Sequence, residues 1–169
     1  MGISGRGSKC RCVFLSLTFL FLLPMLNRRN GVTNNVSIIL PKNSLDTQHS
    51  NTPLFIIDWE LAQCGTRALD LGQMMAELYE LKHYKDIDPG VWIIQGIAEA
   101  YPALGEEMAF RTLIHVGTHL IYFGSTVPGW GTERQIADVV RLGRDLIVKA
   151  WEKDKNWFKG GVWECLFKK

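Results

Sequence analysis

Apolar positions fall into three patterns along this chain. Residues 13 to 26, "VFLSLTFLFLLPML", form an apolar run broken only by Ser16, Thr18 and Pro24. Two short runs follow. Val36 to Leu40 is stopped by Pro41, and Leu54 to Ile57 runs straight into Asp58. Short β-branched runs bounded by turn formers predict strands, and the polar stretch 42–53 between them makes a hairpin of the two. The period then changes. Leu71, Met74, Met75, Leu78 and Leu81 share one face of a helix. Asp88-Pro89 predicts a second helix with Asp as N-cap and Pro at its first position. That helix is expected to bury Trp92, Ile93, Ile97 and Tyr101 and to stop near Pro102. A third, from about Gly105 to Phe123, carries Met108, Leu113, Ile114, Leu120 and Ile121. "GSTVPGWG", residues 124 to 131, breaks it. A fourth starts at Thr132, with Glu133 suiting the dipole of its first turn. Its apolar face reads Ile136, Val139, Val140, Ile147, Ala150 and Trp151, and Gly160-Gly161 breaks the tail. A strand pair followed by four helices predicts an α+β fold, mainly α, with the helices on one side of the strands.

Composition adds boundaries. A chain of 169 residues suits one domain and can bury a core. A net charge of +2, without a basic stripe, argues against a nucleic-acid partner. Four of the six tryptophans lie at or beyond Trp130, which points to buried aromatics in the C-terminal part. Cys10, Cys12, Cys64 and Cys165 match no zinc or CxxC spacing and read as free thiols of a reducing compartment.

The start of the chain stands apart. Arg6, Lys9 and Arg11 precede the apolar run, and Arg28 and Arg29 follow it, a pattern similar to a secretory signal. The run is shorter than the ~20 residues that a bilayer-spanning helix needs. Asn35-Val36-Ser37 fits a glycosylation acceptor. Three readings of residues 1–30 stand: a signal or membrane anchor through residues 13–26, an apolar helix packed on the domain, or sequence foreign to it. The domain proper is taken as residues 31–169.

The chemistry centres on "LFIIDWELAQCGTRALDLGQMMAELY", residues 54 to 79. A strand ends on Asp58-Trp59-Glu60, a Gly follows at position 65, and Asp70-Leu71 opens a helical pattern. The segment resembles the metal-binding segment of the aminoglycoside phosphotransferase and choline kinase-like family, and the likeness extends over about residues 32 to 155. The resemblance implies the C-terminal lobe of a protein-kinase-like fold, an ATP-dependent phosphotransferase (kinase) activity, Mg²⁺ and ATP as cofactors, a small-molecule hydroxyl acceptor and a cytoplasmic location. It implies that Asp58 holds Mg²⁺ against nucleotide phosphates. A hard cation prefers such oxygen donors, and phosphoryl transfer needs them rigidly placed. Asn35, directly before "VSIIL", matches the Asn of the second metal position. Glu60 lies on the same side of an extended chain as Asp58 and is a possible helper. Asp70 matches a structural acid, and its own context also fits a plain helix-start acid.

Other parts of the family's machinery have no match. No His-Gly-Asp occurs, and no acid at all precedes Asp46, so no catalytic base is assigned. There is no Gly-rich phosphate loop and no Walker A pattern. The expectation is a truncated or degenerate phosphotransferase domain, inactive alone, because loss of the base costs ~10²–10⁴-fold in rate. The rival reading is a non-catalytic helical binding or scaffold protein, secreted or membrane-tethered through its leader. His115 and His119, four apart, can share one helix face. With no third ligand identifiable, they read as histidines beside the core or lining a cleft. Trp130 reads as packing on a helix turn. The tail "WEKDKNWFKGGVWECLFKK" reads as docked on the domain rather than lying on a membrane.

Overall fold

A computed structural model describes residues 66–101 and 105–168, together with four two-residue strands nearer the N-terminus. The strands are β1 (Cys12–Val13), β2 (Ile38–Ile39), β3 (Phe55–Ile56) and β4 (Gln63–Cys64). β2 and β3 pair antiparallel, Ile38 opposite Ile56 and Ile39 opposite Phe55, on the two runs that read as strands. β1 and β4 pair antiparallel as well, outside those runs. The rest of residues 1–65, including most of the leader and the loop 42–53, lies outside the described residues.

The described body is mainly helical, as expected. It comprises α1 (Arg67–Lys85), α2 (Pro89–Ala100), α3 (Glu106–Thr126) and α4 (Glu133–Trp151), then two 3₁₀ turns, η1 (Lys155–Phe158) and η2 (Val162–Phe167). α3 is the central element, flanked by α1 and α4; α2 lies on α1, and η2 closes over α2 and α3. The core draws Leu71, Met75 and Leu78 from α1, Leu113, Val116 and Leu120 from α3, and Val139 and Leu146 from α4. Among the described residues, no helix is long and apolar enough to cross a membrane.

Small residues set the helix spacing. A Cβ on Gly117 would lie 2.4 Å from the Gly143 carbonyl oxygen, and one on Gly143 would lie 2.8 Å from the Gly117 carbonyl oxygen. α3 and α4 therefore cross backbone to backbone. α1 meets α3 in the same way, since a Cβ on Gly72 would lie 2.4 Å from the His115 Cβ.

The ends of the helices are chemically explicit. Thr132 and Gln135 form a reciprocal capping box at the start of α4, satisfying two otherwise orphan amides. Gln135 also ties α4 to α1: its side-chain amide donates to the His83 carbonyl (3.2 Å), and the His83 ring donates to the Gln135 carbonyl (2.7 Å). Asp86 ends α1 in the left-handed region (φ 55°), its N–H reaching the Leu81 and Lys82 carbonyls.

Four expectations change. α1 begins at Arg67, because the Thr66 hydroxyl accepts from the Ala68 N–H (3.4 Å); Asp70 is thus a first-turn acid rather than the residue that opens the helix. Asp88 precedes α2, but its carboxylate pairs with Lys82 (2.7 Å) and caps nothing. α2 does not bury Trp92 and Ile93, which are 65% and 48% exposed. Its inner face is Gly90, Ile94 and Ala98, because the helix docks through its smallest residues: a Cβ on Gly90 would lie 2.3 Å from the Leu78 carbonyl oxygen. Last, Trp151 is 79% exposed and Trp157 is exposed too, leaving Gly143 and Leu146 to complete the inner face of α4.

The tail docks as expected. Phe158, Trp163 and Leu166 are buried, and Phe110 of α3 meets the rings of Phe158 and Phe167 with centroids 6.4 and 5.0 Å away. Trp130 packs edge-on against Tyr84, centroids 5.6 Å apart, while Lys85 Nζ donates to its carbonyl (3.0 Å). It packs the turn between α3 and α4, as read from its flanking glycines.

Candidate functional site

The segment with the family resemblance straddles the edge of the described structure. Asn35, Asp58 and Glu60 lie outside the described residues. Asp70 lies inside, half-buried in the first turn of α1, where a carboxylate is favoured by the unpaired amides and the dipole of the helix start. α1 follows β4 after only two residues, Gly65 and Thr66.

Beside Asp70 the helix forms one wall of a cavity of about 200 Å³. Leu69 and Gln73 of α1 line it from one side, and His115, Thr118, His119, Tyr122 and Phe123 of α3 from the other. The two histidines do share a face, and both line this cavity. Among the described residues, no group of His, Cys, Asp and Glu is arranged to hold a metal ion.

Behind the cavity wall lies a polar cluster that sequence reasoning missed. Glu77 and Glu80 of α1 are 3% and 1% exposed, and His119 of α3 is 6% exposed. His119 Nε2 stands 3.8 Å from Glu77 Oε1 and 3.9 Å from Glu80 Oε1, just beyond direct hydrogen bonding. Gln73 donates to Glu77 Oε1 (3.4 Å). Glu77 Oε2, Glu80 Oε1 and His119 Nε2 have no hydrogen-bond partner among the described residues. Burial disfavours charge on each group. It pushes both glutamates up to about 8, helped at Glu77 by its neighbour Glu80 and opposed by Gln73, and it pushes His119 down to about 4. Near neutral pH the cluster therefore holds carboxyl protons rather than carboxylate charges. Gly124 opens room for it, since a Cβ there would lie 2.8 Å from Glu80 Oε1. Glu77 and Glu80 carry no sequence signal of this kind, because glutamates between apolar helix positions read as a solvated face.

Comparison with known proteins bears out the resemblance read from residues 54 to 79. Over its C-terminal portion, the chain is homologous to phosphotransferases and kinases of the aminoglycoside phosphotransferase-like family. It is 37% identical over 136 residues to "Phosphotransferase FrzJ" of Cladobotryum sp, a match covering 80% of this chain and 35% of that protein. It is also 21% identical over 126 residues to a "4-hydroxytryptamine kinase" of Psilocybe cyanescens, covering 73% of this chain and 34% of the relative. A "4-hydroxytryptamine kinase" of Psilocybe cubensis is 24% identical over 92 residues, 53% of this chain and 25% of the relative. The chain spans about a third of the length of the first two relatives. No protein-family model matches it. No solved structure matches it significantly.

Proposed function

We infer that this chain carries the metal-binding segment and helical lobe of an ATP-dependent phosphotransferase acting on a hydroxyl of a small molecule. The observation that carries the reading is the 37% identity over 136 residues to a phosphotransferase, joined to the I-D-W-E and D-L-G spacing around Asp58 and Asp70. In this reading the described helices form part of the C-terminal lobe of a protein-kinase-like fold. Asp58 and Asn35 supply oxygen donors suited to Mg²⁺, Glu60 assists them, and Asp70 steadies the turn from the start of α1. Bound Mg·ATP would supply the transferable phosphoryl group and neutralise its charge. The names of the relatives point to a hydroxylated small molecule as acceptor, and an ATP-consuming reaction to the cytosol. These 169 residues contain no His-Gly-Asp and no glycine-rich phosphate loop, so they do not by themselves supply a base or a phosphate cradle. The chain alone is expected to bind metal without turning over ATP.

The test uses Mn²⁺ as a paramagnetic reporter for Mg²⁺, titrated into the full chain with and without ADP and followed by water-proton relaxation. Binding that Asp58→Asn removes supports the assignment. Binding indifferent to Asp58→Asn, or no binding at all, removes Asp58 from the metal role.

A further inference from the structure

We propose that Glu77, Glu80 and His119 form a proton-gated seam between α1 and α3, closed to water while the carboxyls keep their protons and opening onto the adjoining cavity when they lose them. The proposal does not rest on the phosphotransferase reading.

The geometry is the argument. Three ionisable side chains meet at one point in the core, each at least nine-tenths buried, and each has a polar atom with no hydrogen-bond partner among the described residues. Glu77 and Glu80 lie three apart on α1, so both face α3. Among the described residues, no cation faces them. From α1 the titratable neighbour is Tyr84, whose hydroxyl donates to the Gly124 carbonyl (2.5 Å) and whose own ionisation burial and Glu80 oppose. From α3 it is His115, half-buried on the cavity wall. α4 offers Val139, while the inner faces of α2 and η2 offer Gly90, Ile94, Ala98, Trp163 and Leu166, none of them charged. Among the described residues, Thr112 is buried too and carries no charge. Among the described residues, a carboxylate formed here has no counter-charge except a protonated His119, and one histidine cannot balance two carboxylates. Burying the unbalanced charge is costly, and hydration through the cavity beside His119 relieves it.

Linkage fixes the sign. Both glutamates titrate near 8 in the folded chain, above the ordinary 4.5 of a solvated glutamate. Their contribution to stability is complete below about 4.5 and is lost as pH rises to about 8. His119 is lowered from 6.5 to about 4, so its contribution is complete above 6.5 and lost as pH falls to about 4. Between 4.5 and 6.5 the histidine offsets one glutamate. From 6.5 to 8 nothing offsets either, so this is the steep interval.

Three measurements on the full chain test the gate. The infrared band of protonated carboxyl groups is expected at pH 7 and should vanish on titration through about 8. Its absence at pH 7 overturns the proposal, with no variant needed. The melting temperature of the native chain should fall most steeply between pH 6.5 and 8, and that fall should be missing in Glu77→Gln/Glu80→Gln. Parallel pH profiles for the two proteins overturn it. For opening itself, carbethoxylation of His119, mapped by peptide mass against His83 as internal reference, should rise severalfold above pH 8 in the native chain and stay constant in the double variant. A constant ratio in the native chain refutes the opening.

Discussion

The backbone crossing of α3 on α4 makes the sharpest stability prediction, because one chemical change should act with opposite sign at two glycines. At Gly117 an added methyl would sit 2.4 Å from the Gly143 carbonyl oxygen and 2.7 Å from Ile147 Cγ1. Reaching an ordinary contact of 3.4 Å requires α4 to retreat by about 1 Å (3.4 minus 2.4), since a backbone carbonyl cannot rotate out of the way as a side chain can. Overpacking of this kind costs ~1–3 kcal/mol, and contact with fixed backbone places it at the upper end. Replacing glycine by alanine inside a helix returns ~1 kcal/mol. The net for Gly117→Ala is a loss of ~2 kcal/mol, about 4–8 °C in melting temperature for a chain of this size. Gly96, also mid-helix, has nothing within 4 Å of its added Cβ. Only the helical gain remains there, so Gly96→Ala should stabilise by ~0.5–1 kcal/mol. The assay is thermal unfolding followed by circular dichroism at 222 nm, with wild type and both variants in one buffer. If Gly117→Ala melts at or above wild type, the α3–α4 crossing is not as close as described and the reasoning fails.

Other outcomes follow from the same structure. Gly143→Ala should cost less when added to Gly117→Ala than alone, because the helices have already separated; additive losses in urea titrations would contradict a shared contact. Thr132→Ala removes half of the capping box and should cost ~1 kcal/mol by chemical denaturation; no loss would mean that the box carries no stability. Trp163→Ala should cost ~3–5 kcal/mol because the ring is buried under the tail, whereas Trp151→Ser, on an exposed ring, should stay within ~0.5 kcal/mol of wild type. Similar losses at the two positions would refute the docking of the tail.

The helices were legible where large apolar residues carry the pattern. Leu71, Met75, Leu78 and Leu81 mark the inner face of α1, Leu113 and Leu120 that of α3, and α4 starts where Thr132 was read to begin it, with Thr132 as its cap. The reading failed where small residues take the contact. On α2 Ile97 and Tyr101 pack against the core as read, but Trp92 and Ile93 do not. Trp92 and Ile93 are large and apolar, yet Gly90 and Ala98 on the side of Ile94 permit the closer approach, and the close approach decides which side faces α1. Trp151 was misplaced in the same way, because Gly143 pulls α4 against α3 on a neighbouring stripe. Hydrophobicity scales weight each residue by its own transfer energy. They do not weight the space that a missing side chain opens for its neighbours.

The same limit explains why the buried cluster went unread and why its cost is tolerable. Gly124 has no side chain, so Glu80 fits beneath α3 at a point where any larger residue would meet its carboxyl oxygen. Gly72 brings α1 against His115, one turn from His119. Two glycines on different helices thus create a seam just wide enough for polar side chains, and neither glycine is informative alone. Once inside, a glutamate avoids a charge penalty of several kcal/mol by keeping its proton, since each unit of pKa shift corresponds to ~1.4 kcal/mol. The penalty that remains is that of unpaired polar atoms, about 1–3 kcal/mol each, and it is set against the Leu, Met and Val packing on either side of the seam. Glu77→Leu/Glu80→Met should therefore be more stable than wild type near neutral pH, with the gain largest above pH 8, where the glutamates would otherwise be charged. Denaturant titrations at pH 6 and 9 decide it. A variant less stable than wild type at both values would mean that the carboxyls are satisfied by partners beyond the described residues, and that the seam was built around those partners rather than around protons.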